Sequence, residues 1–317
     1  MMKKDLFIYG AIIVLWSGYL LLTVLQPNTP NPLTGSLSTF QVMLLRLSIA
    51  LPYLFIWLVA FYGGLALRTY TAALADLDER HALRRVATGI FILAAGLLIT
   101  TFLSSTRQLL QVRESDLVPM ITILINYAYI LIPLVSFSYF FTGAQGMAHK
   151  VRADGLSFGE TLTPLAGALM VSGTYAWLVF TNPNREMALN ASTPATYSLS
   201  DPIIIATIII PFFLSLLLGF LSLAHFTRYL KNVTGIVYKA ATARFITGIF
   251  LVILGGIILQ ILLSLGSRLL GFGLGTILGI IYLFLAVQAG GYIFIALGSK
   301  KLTAVEQILK KYQFTNN

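Results

Sequence analysis

The sequence contains no cysteine and few charged residues. The absence of Cys from 317 residues excludes disulfides, thiolate metal sites and cysteine nucleophiles. Charged residues make up 10% of the chain and hydrophobic residues 57%, against about 25% and about 45–50% in soluble domains. The charges are clustered and leave apolar runs of about twenty residues, enough for a helix to cross a hydrocarbon layer of about 30 Å. The composition therefore predicts an all-α integral membrane protein.

Side chains that commonly carry chemistry are scarce within the apolar runs. All 11 acidic residues lie in predicted loops, tails or span edges, which disfavours the carboxylate relays of pumps. The three histidines, His81, His149 and His225, lie in loops or at a helix end, so we expect no haem or metal site. Walker-type glycine loops, zinc helix motifs and Ser-His-Asp sets are missing as well. We therefore predict no catalytic residues, no metal and no cofactor.

The apolar runs predict eight transmembrane helices. The first run, residues 6–25, is longer than a signal-peptide core and lacks a convincing cleavage site, so we interpret it as a retained span. The predicted spans are 6–25, 41–66, 86–104, 118–142, 162–181, 202–225, 243–266 and 272–297.

Basic residues are distributed unequally between the two sides of these spans. Sixteen Lys and Arg residues fall on the side of both termini, and four fall on the opposite side. This imbalance predicts that the N- and C-termini lie on the cytoplasmic side of the cell membrane. The same bias accounts for the net charge of +10 without nucleic-acid binding. The expected partners are the bilayer, anionic lipids at its cytoplasmic face, and a protein docked on the basic cytoplasmic loops.

The chain also shows an internal repeat. A shift of 159 residues places Arg85-Val-Ala-Thr-Gly-Ile-Phe91 on Arg244-Phe-Ile-Thr-Gly-Ile-Phe250, and a shift of 155 to 156 aligns parts of the first and fifth spans. A chance match between apolar helices is the alternative. Because each half has an even number of spans, a duplication predicts a parallel repeat about an axis along the membrane normal. We predict four-helix halves at 1–150 and 151–298, followed by a tail at 299–317.

Four polar residues within the spans are candidates for a membrane site: Arg46, Asn126, Gln260 and Gln288. Arg46 lies close enough to the outer surface to snorkel or to form a structural ion pair, and the alternative is an anion or headgroup site. The neutral residues either hydrogen-bond between helices or, with Arg46, line an outward cavity.

Small residues recur at intervals typical of close helix packing. A glycine-lined pore is the alternative interpretation. The glycines concerned are Gly89, Gly96, Gly248, Gly255, Gly275 and Gly279.

The tail is basic and amphipathic. Apolar residues from Leu302 to Tyr312 recur at helical spacing, and Thr303 with Glu306 fits a capping box. We therefore predict a short helix that starts near Thr303 and lies against the cytoplasmic surface of the bilayer or the bundle.

The stretches Phe61-Tyr-Gly-Gly, Arg68-Thr-Tyr70 and Val86-Ala-Thr-Gly-Ile90 resemble uncharacterised multipass proteins of small-genome bacteria of the candidate-phyla type. That resemblance implies no known activity. Two joined four-helix bundles are similar in architecture alone to the quinone-interacting membrane subunits of the NrfD type, whose local patterns are missing from this sequence.

Three functions are compatible with these features. Duplicated helical halves favour a permease or flippase-like transporter of a small or lipidic substrate, which is the leading interpretation from the sequence. Dense small-residue packing and basic extensions favour a noncatalytic membrane scaffold or subunit of a complex. An intramembrane enzyme acting on a lipid headgroup through Arg46 or His149 has no motif to support it, so the chain is not expected to be an enzyme.

Overall fold

The computed structural model describes residues 2–25, 38–112, 117–149, 210–261 and 274–315. All regular structure in these residues is helical. The seven helices are α1 (Met2–Leu25), α2 (Thr39–Ala73), α3 (Leu77–Val112), α4 (Val118–His149), α5 (Ile210–Asn232), α6 (Ile236–Ile261) and α7 (Leu274–Thr315).

Five of the described helices are long and apolar enough to cross a membrane, namely α2, α3, α5, α6 and α7. Helix α1 contains a shorter apolar stretch, Tyr9–Leu21. The predicted span at 118–142 falls in α4, whereas the one at 162–181 lies outside the described residues. The expectation of an all-helical membrane protein agrees with this architecture.

Local sequence signals explain where three of the helices begin. Ser38 caps α2 in a reciprocal capping box with Gln41. The Asp76 carboxylate accepts hydrogen bonds from the backbone N–H groups of Asp78 and Glu79 in the first turn of α3. Gly235, at a φ of 86°, supplies the left-handed residue that the tight turn between α5 and α6 requires.

The helices pack in a reciprocal pattern. Helix α3 runs along α4, and α6 runs along α7, in the two most extensive pairings. Helix α7 also packs along α2, and α4 packs along α5. Helix α7, the last described helix, thus contacts α2. Helix α4 contacts α5, which follows the undescribed segment 150–209. One apolar core extends through all six, with buried members that include Leu67, Ile90, Phe140, Phe226, Ile249 and Ile295.

Helix α1 contributes to a smaller, separate cluster on the side of α2. The Tyr19 and Trp57 rings meet edge to face with centroids 5.9 Å apart. The indole N–H of Trp16 donates to the carbonyl of Ala50 over 3.1 Å. Ile12 belongs to the same cluster, against which Leu97 and Leu98 of α3 also pack. Helix α1 is thus attached to the bundle mainly through α2 and also through α3.

The candidate packing glycines fall into two groups. An added Cβ at Gly89, Gly96, Gly248 or Gly255 would lie 2.3 to 2.9 Å from an atom of a neighbouring helix. At Gly275 and Gly279, no described atom lies within 4 Å of an added Cβ. Close helix approach therefore depends on the first four glycines.

The basic tail continues α7 instead of forming a separate helix. The Thr303 hydroxyl donates to the Ser299 carbonyl one turn earlier, so it does not cap a new helix start. No proline interrupts residues 274–315. Leu302 is buried in the bundle core, whereas Ile308 and Leu309 are exposed.

Candidate functional site

Four polar side chains meet where α2, α3, α5 and α6 end or begin. The hydroxyls of Tyr70 and Tyr238 are 2.5 Å apart and share a hydrogen bond. The hydroxyl of Tyr229 donates to Oε1 of Glu79. We refer to these four residues as the junction cluster, because each hydrogen bond joins a helix before residue 150 to one after residue 209.

Two helical corners place the cluster. Tyr70 and Tyr229 lie in the last turns of α2 and α5, and Glu79 and Tyr238 lie in the first turns of α3 and α6. All four lie outside the apolar runs of the sequence and near many of its basic residues. We call this side of the bundle the basic end.

The two hydrogen bonds are also related through the sequence. The 159-residue shift that aligns the two repeated segments carries Tyr70 onto Tyr229 and Glu79 onto Tyr238. The shift therefore relates the Tyr70–Tyr238 hydrogen bond to the Tyr229–Glu79 hydrogen bond. In this relation, the partner before residue 150 and the partner after residue 209 change places. Such an exchange is what a two-fold axis through the cluster produces.

The cluster holds a carboxyl group in a partly desolvated place. Burial raises the pKa of Glu79, the hydroxyl of Tyr229 opposes the rise by donating to the carboxylate, and the carboxyls of Asp76 and Glu306 add to it. Burial and the Glu79 carboxyl also raise the pKa of Tyr238 to about 12. The Tyr238 phenol is therefore neutral near pH 7, and Glu79 binds a proton more readily than an exposed Glu.

Chemically, this arrangement binds and releases a proton and connects four helices. The described residues contain no group of three or more His, Asp or Glu side chains that could hold a metal ion. The cluster consists of one carboxyl group and three phenols joined by hydrogen bonds.

The structure describes the side chains of Arg46 and Gln288, two of the four candidate polar membrane residues. Arg46 is partly exposed on α2. Asn126 and Gln260 lie in α4 and α6, and their side chains are outside the described part of the structure. Gln288 is buried in α7 and donates from Nε2 to the carbonyl of Val252 in α6 over 2.7 Å. Gln288 thus connects two helices, which is the simpler of its two sequence interpretations.

Gly255 makes room for this contact. An added Cβ there would lie 2.9 Å from Nε2 of Gln288. The glycine and the glutamine therefore act as a pair.

A groove of about 370 Å³ lies near the basic end, between α1, α2 and α7. Its walls are mainly apolar, with Lys300 of α7 at one side. The Lys300 ammonium lies 4.8 Å from the centroid of the Tyr62 ring, within cation–π range.

Sequence reasoning missed the junction cluster because its members look unremarkable in isolation. Glu79 was expected to be a loop carboxyl, and the three tyrosines lie just beyond predicted spans. One signal was present, since the 159-residue shift pairs Tyr70 with Tyr229. A single sequence does not indicate which hydrogen bonds form between helices that are far apart along the chain.

Comparisons with protein-family models, with curated proteins and with solved structures found no match. The resemblance of residues 61–90 to multipass proteins of small-genome bacteria therefore stays a prediction.

Proposed function

We propose that the chain is a noncatalytic membrane scaffold or subunit, built from two four-helix halves, 1–150 and 151–298, that repeat in parallel across eight spans. Both termini and the basic end face the cytoplasm of a bacterial cell. The observation that carries this proposal is the single apolar core shared by α2 to α7. Helices of both halves contribute large buried side chains to it, so the interface between the halves is filled where it is described.

The reciprocal packing supports the repeat. If α2, α3 and α4 correspond to α5, α6 and α7, the α3–α4 pair matches α6–α7 and the α2–α7 pair matches α5–α4. Each half then packs its last helix against the second helix of the other half. A parallel two-fold arrangement requires this exchange.

Close contacts support the same correspondence at residue level. An added Cβ at Gly89 would lie 2.9 Å from the Ser136 carbonyl oxygen, and one at Gly248 would lie 2.6 Å from that of Gly291. Gly89 and Gly248 differ by 159 residues, and Ser136 and Gly291 by 155. The helices α4 and α7 are thus related by a shift four residues shorter, since 47 residues separate Gly89 from Ser136 and 43 separate Gly248 from Gly291.

A permease is the second candidate, and the junction cluster favours it. A buried carboxyl at the contact between two halves is a common element of proton-coupled rearrangement. In a permease, the hydrogen bonds of the cluster form in the state in which the basic end is closed, and they break in the state in which it is open. In a scaffold, the same cluster fastens the halves permanently.

The natural absence of cysteine allows a direct test. Ser222→Cys introduces a thiol at a fully buried position of α5 with little change in shape. Thr234→Cys, in the exposed α5–α6 turn, is the matched control. A membrane-impermeant maleimide is applied to right-side-out and to inverted vesicles over a range of pH, because the raised pKa of Glu79 makes the cluster sensitive to pH.

For a scaffold, we expect Ser222→Cys to react at least about tenfold more slowly than Thr234→Cys in inverted vesicles at every pH, and not to react in right-side-out vesicles, since buried positions react only through rare opening. Fast labelling of Ser222→Cys in one vesicle orientation or pH would contradict the scaffold and support the permease. Thr234→Cys and Ala75→Cys, in the equivalent turn between α2 and α3, are expected to react only in inverted vesicles. Reaction in right-side-out vesicles would overturn the cytoplasmic orientation.

A further inference from the structure

The groove between α1, α2 and α7 combines a cation, hydroxyl groups and an apolar floor. Lys300 supplies the ammonium group, and Tyr9, Thr69 and Thr303 line the same space. Leu65 and Ala66 form part of its apolar wall. Such a mixture suits a ligand that is charged at one end and apolar at the other.

The groove also lies at the expected depth for such a ligand. Leu65 and Ala66 close the apolar run 41–66, and Lys300 follows the run 272–297 by three residues. These positions correspond to the boundary between hydrocarbon and headgroups, where Tyr and Lys side chains are enriched. Phe294 and Leu297, one to two turns earlier on α7, are 40% and 52% exposed. An apolar surface thus continues from the groove toward the membrane interior.

We propose that this groove is a binding site for one anionic phospholipid. The Lys300 ammonium pairs with the phosphodiester, the Tyr62 ring holds the lysine side chain in place, and the acyl chains lie along the apolar surface of α7. The proposal rests on the membrane location of the chain and is independent of the choice between scaffold and permease. Charge complementarity selects the occupant, because the nearest charged side chains along α7, Lys300 and Lys301, are both basic.

Within the described residues, the proposed repeat does not duplicate this site. The 155-residue shift that relates α4 to α7 places Gln145 at the position of Lys300, and the 159-residue shift places Leu221 at that of Tyr62. The equivalent place in the other half therefore lacks both the cation and the aromatic ring. One tightly held anionic lipid per chain is expected.

Native mass spectrometry of the full-length protein in detergent tests the proposal. Phosphatidylglycerol and phosphatidylcholine with identical acyl chains are titrated separately, and the first bound lipid is quantified. We expect Lys300→Gln to weaken binding of the first phosphatidylglycerol by about fivefold, the contribution of one basic residue near anionic headgroups. Lys300→Arg should retain it, and phosphatidylcholine should show no such dependence.

Lys231→Gln is the matched control, because it removes an exposed cation at the end of α5 and away from the groove. Equal losses for Lys231→Gln and Lys300→Gln would show a general surface charge effect and overturn the site. Inorganic phosphate and glycerol 3-phosphate are added as competitors. Displacement of the lipid by either one at millimolar concentration would show a site for free phosphate and would likewise overturn the lipid proposal.

Discussion

At the scale of single residues, the junction cluster places one carboxyl group among three phenols. Tyr229 donates to Glu79, while Tyr70 and Tyr238 share a second hydrogen bond. Exposed hydrogen bonds of this kind contribute little, but partly desolvated ones to a charged group are worth about 1.5–3 kcal/mol. The state of one proton on Glu79 therefore affects how firmly four helices are connected.

The pH dependence of stability follows from the raised pKa of Glu79. Burial, Asp76 and Glu306 raise this pKa, and the hydroxyls of Tyr229 and Tyr238 lower it in part, with a net increase. The folded state then holds the proton at a pH where the unfolded chain has released it. Stability from this group is present at low pH and is lost as pH rises through the pKa of the folded protein.

We therefore expect the melting temperature of the detergent-solubilised protein, followed by tryptophan fluorescence, to rise as the pH is lowered from about 8 to about 5. Glu79→Gln mimics the neutral carboxyl and should flatten this dependence. Asp78→Asn removes the preceding carboxyl, which is not a member of the cluster, and should preserve the slope. A Glu79→Gln profile parallel to that of the natural protein would show that Glu79 is not the group responsible.

At the scale of helices, the contact between α6 and α7 depends on small residues that let the two backbones approach. Gly291 lies so close to α6 that an added Cβ would be 2.8 Å from Val252 Cγ2 and 2.9 Å from the Gly248 carbonyl oxygen. Its neighbour Gly290 has no described atom within 4 Å of the equivalent point. Of these two adjacent glycines, Gly291 is therefore tightly packed against α6, whereas Gly290 has no close described neighbour.

This difference provides a matched pair of substitutions. Gly291→Ala should destabilise the protein by about 1–3 kcal/mol, because the methyl group forces the helices apart. Gly290→Ala should be neutral or should stabilise slightly, since alanine favours the helical backbone. Both changes can be measured as unfolding midpoints in detergent. Equal effects of the two substitutions would contradict the packing role assigned to Gly291.

The sequence predicts helices far better than it predicts their partners. Apolar runs locate α2, α3 and α7 because membrane insertion depends on length and hydrophobicity alone. The end of α7 differs from its prediction, since a Thr-x-x-Glu pattern resembles a cap even where the helix continues through Ser299 and Leu302. The junction cluster could not be predicted, because its hydrogen bonds depend on how distant helices approach one another.

At the scale of the whole molecule, the reciprocal packing has a mechanical consequence. Gly63 of α2 lies against α7, where an added Cβ would be 3.0 Å from the Tyr292 carbonyl oxygen. Gly219 of α5 also faces α4: an added Cβ there would be 3.6 Å from the Phe137 ring, and 3.0 Å from Ile253 Cγ2 of α6. Because helices within a bilayer associate chiefly through such packing, each half covers a surface that the other leaves open. Neither proposed half is complete by itself.

We expect a chain divided after residue 150 to reassemble from its two pieces. Tagged 1–150 co-expressed with 151–317 should retrieve it at equal stoichiometry in mild detergent, whereas 1–150 alone should aggregate or degrade, because α2 then lacks the cover of α7. Gly63→Leu in the first piece should abolish retrieval, since the larger side chain separates α2 from α7 at a position where an added Cβ would already be 3.0 Å from the Tyr292 carbonyl oxygen. Gly18→Leu is the matched control, because an added Cβ at Gly18 has no described atom within 4 Å. Stable, monodisperse 1–150 that does not bind 151–317 would mean that the halves fold independently, and the exchange of helices would then be wrong.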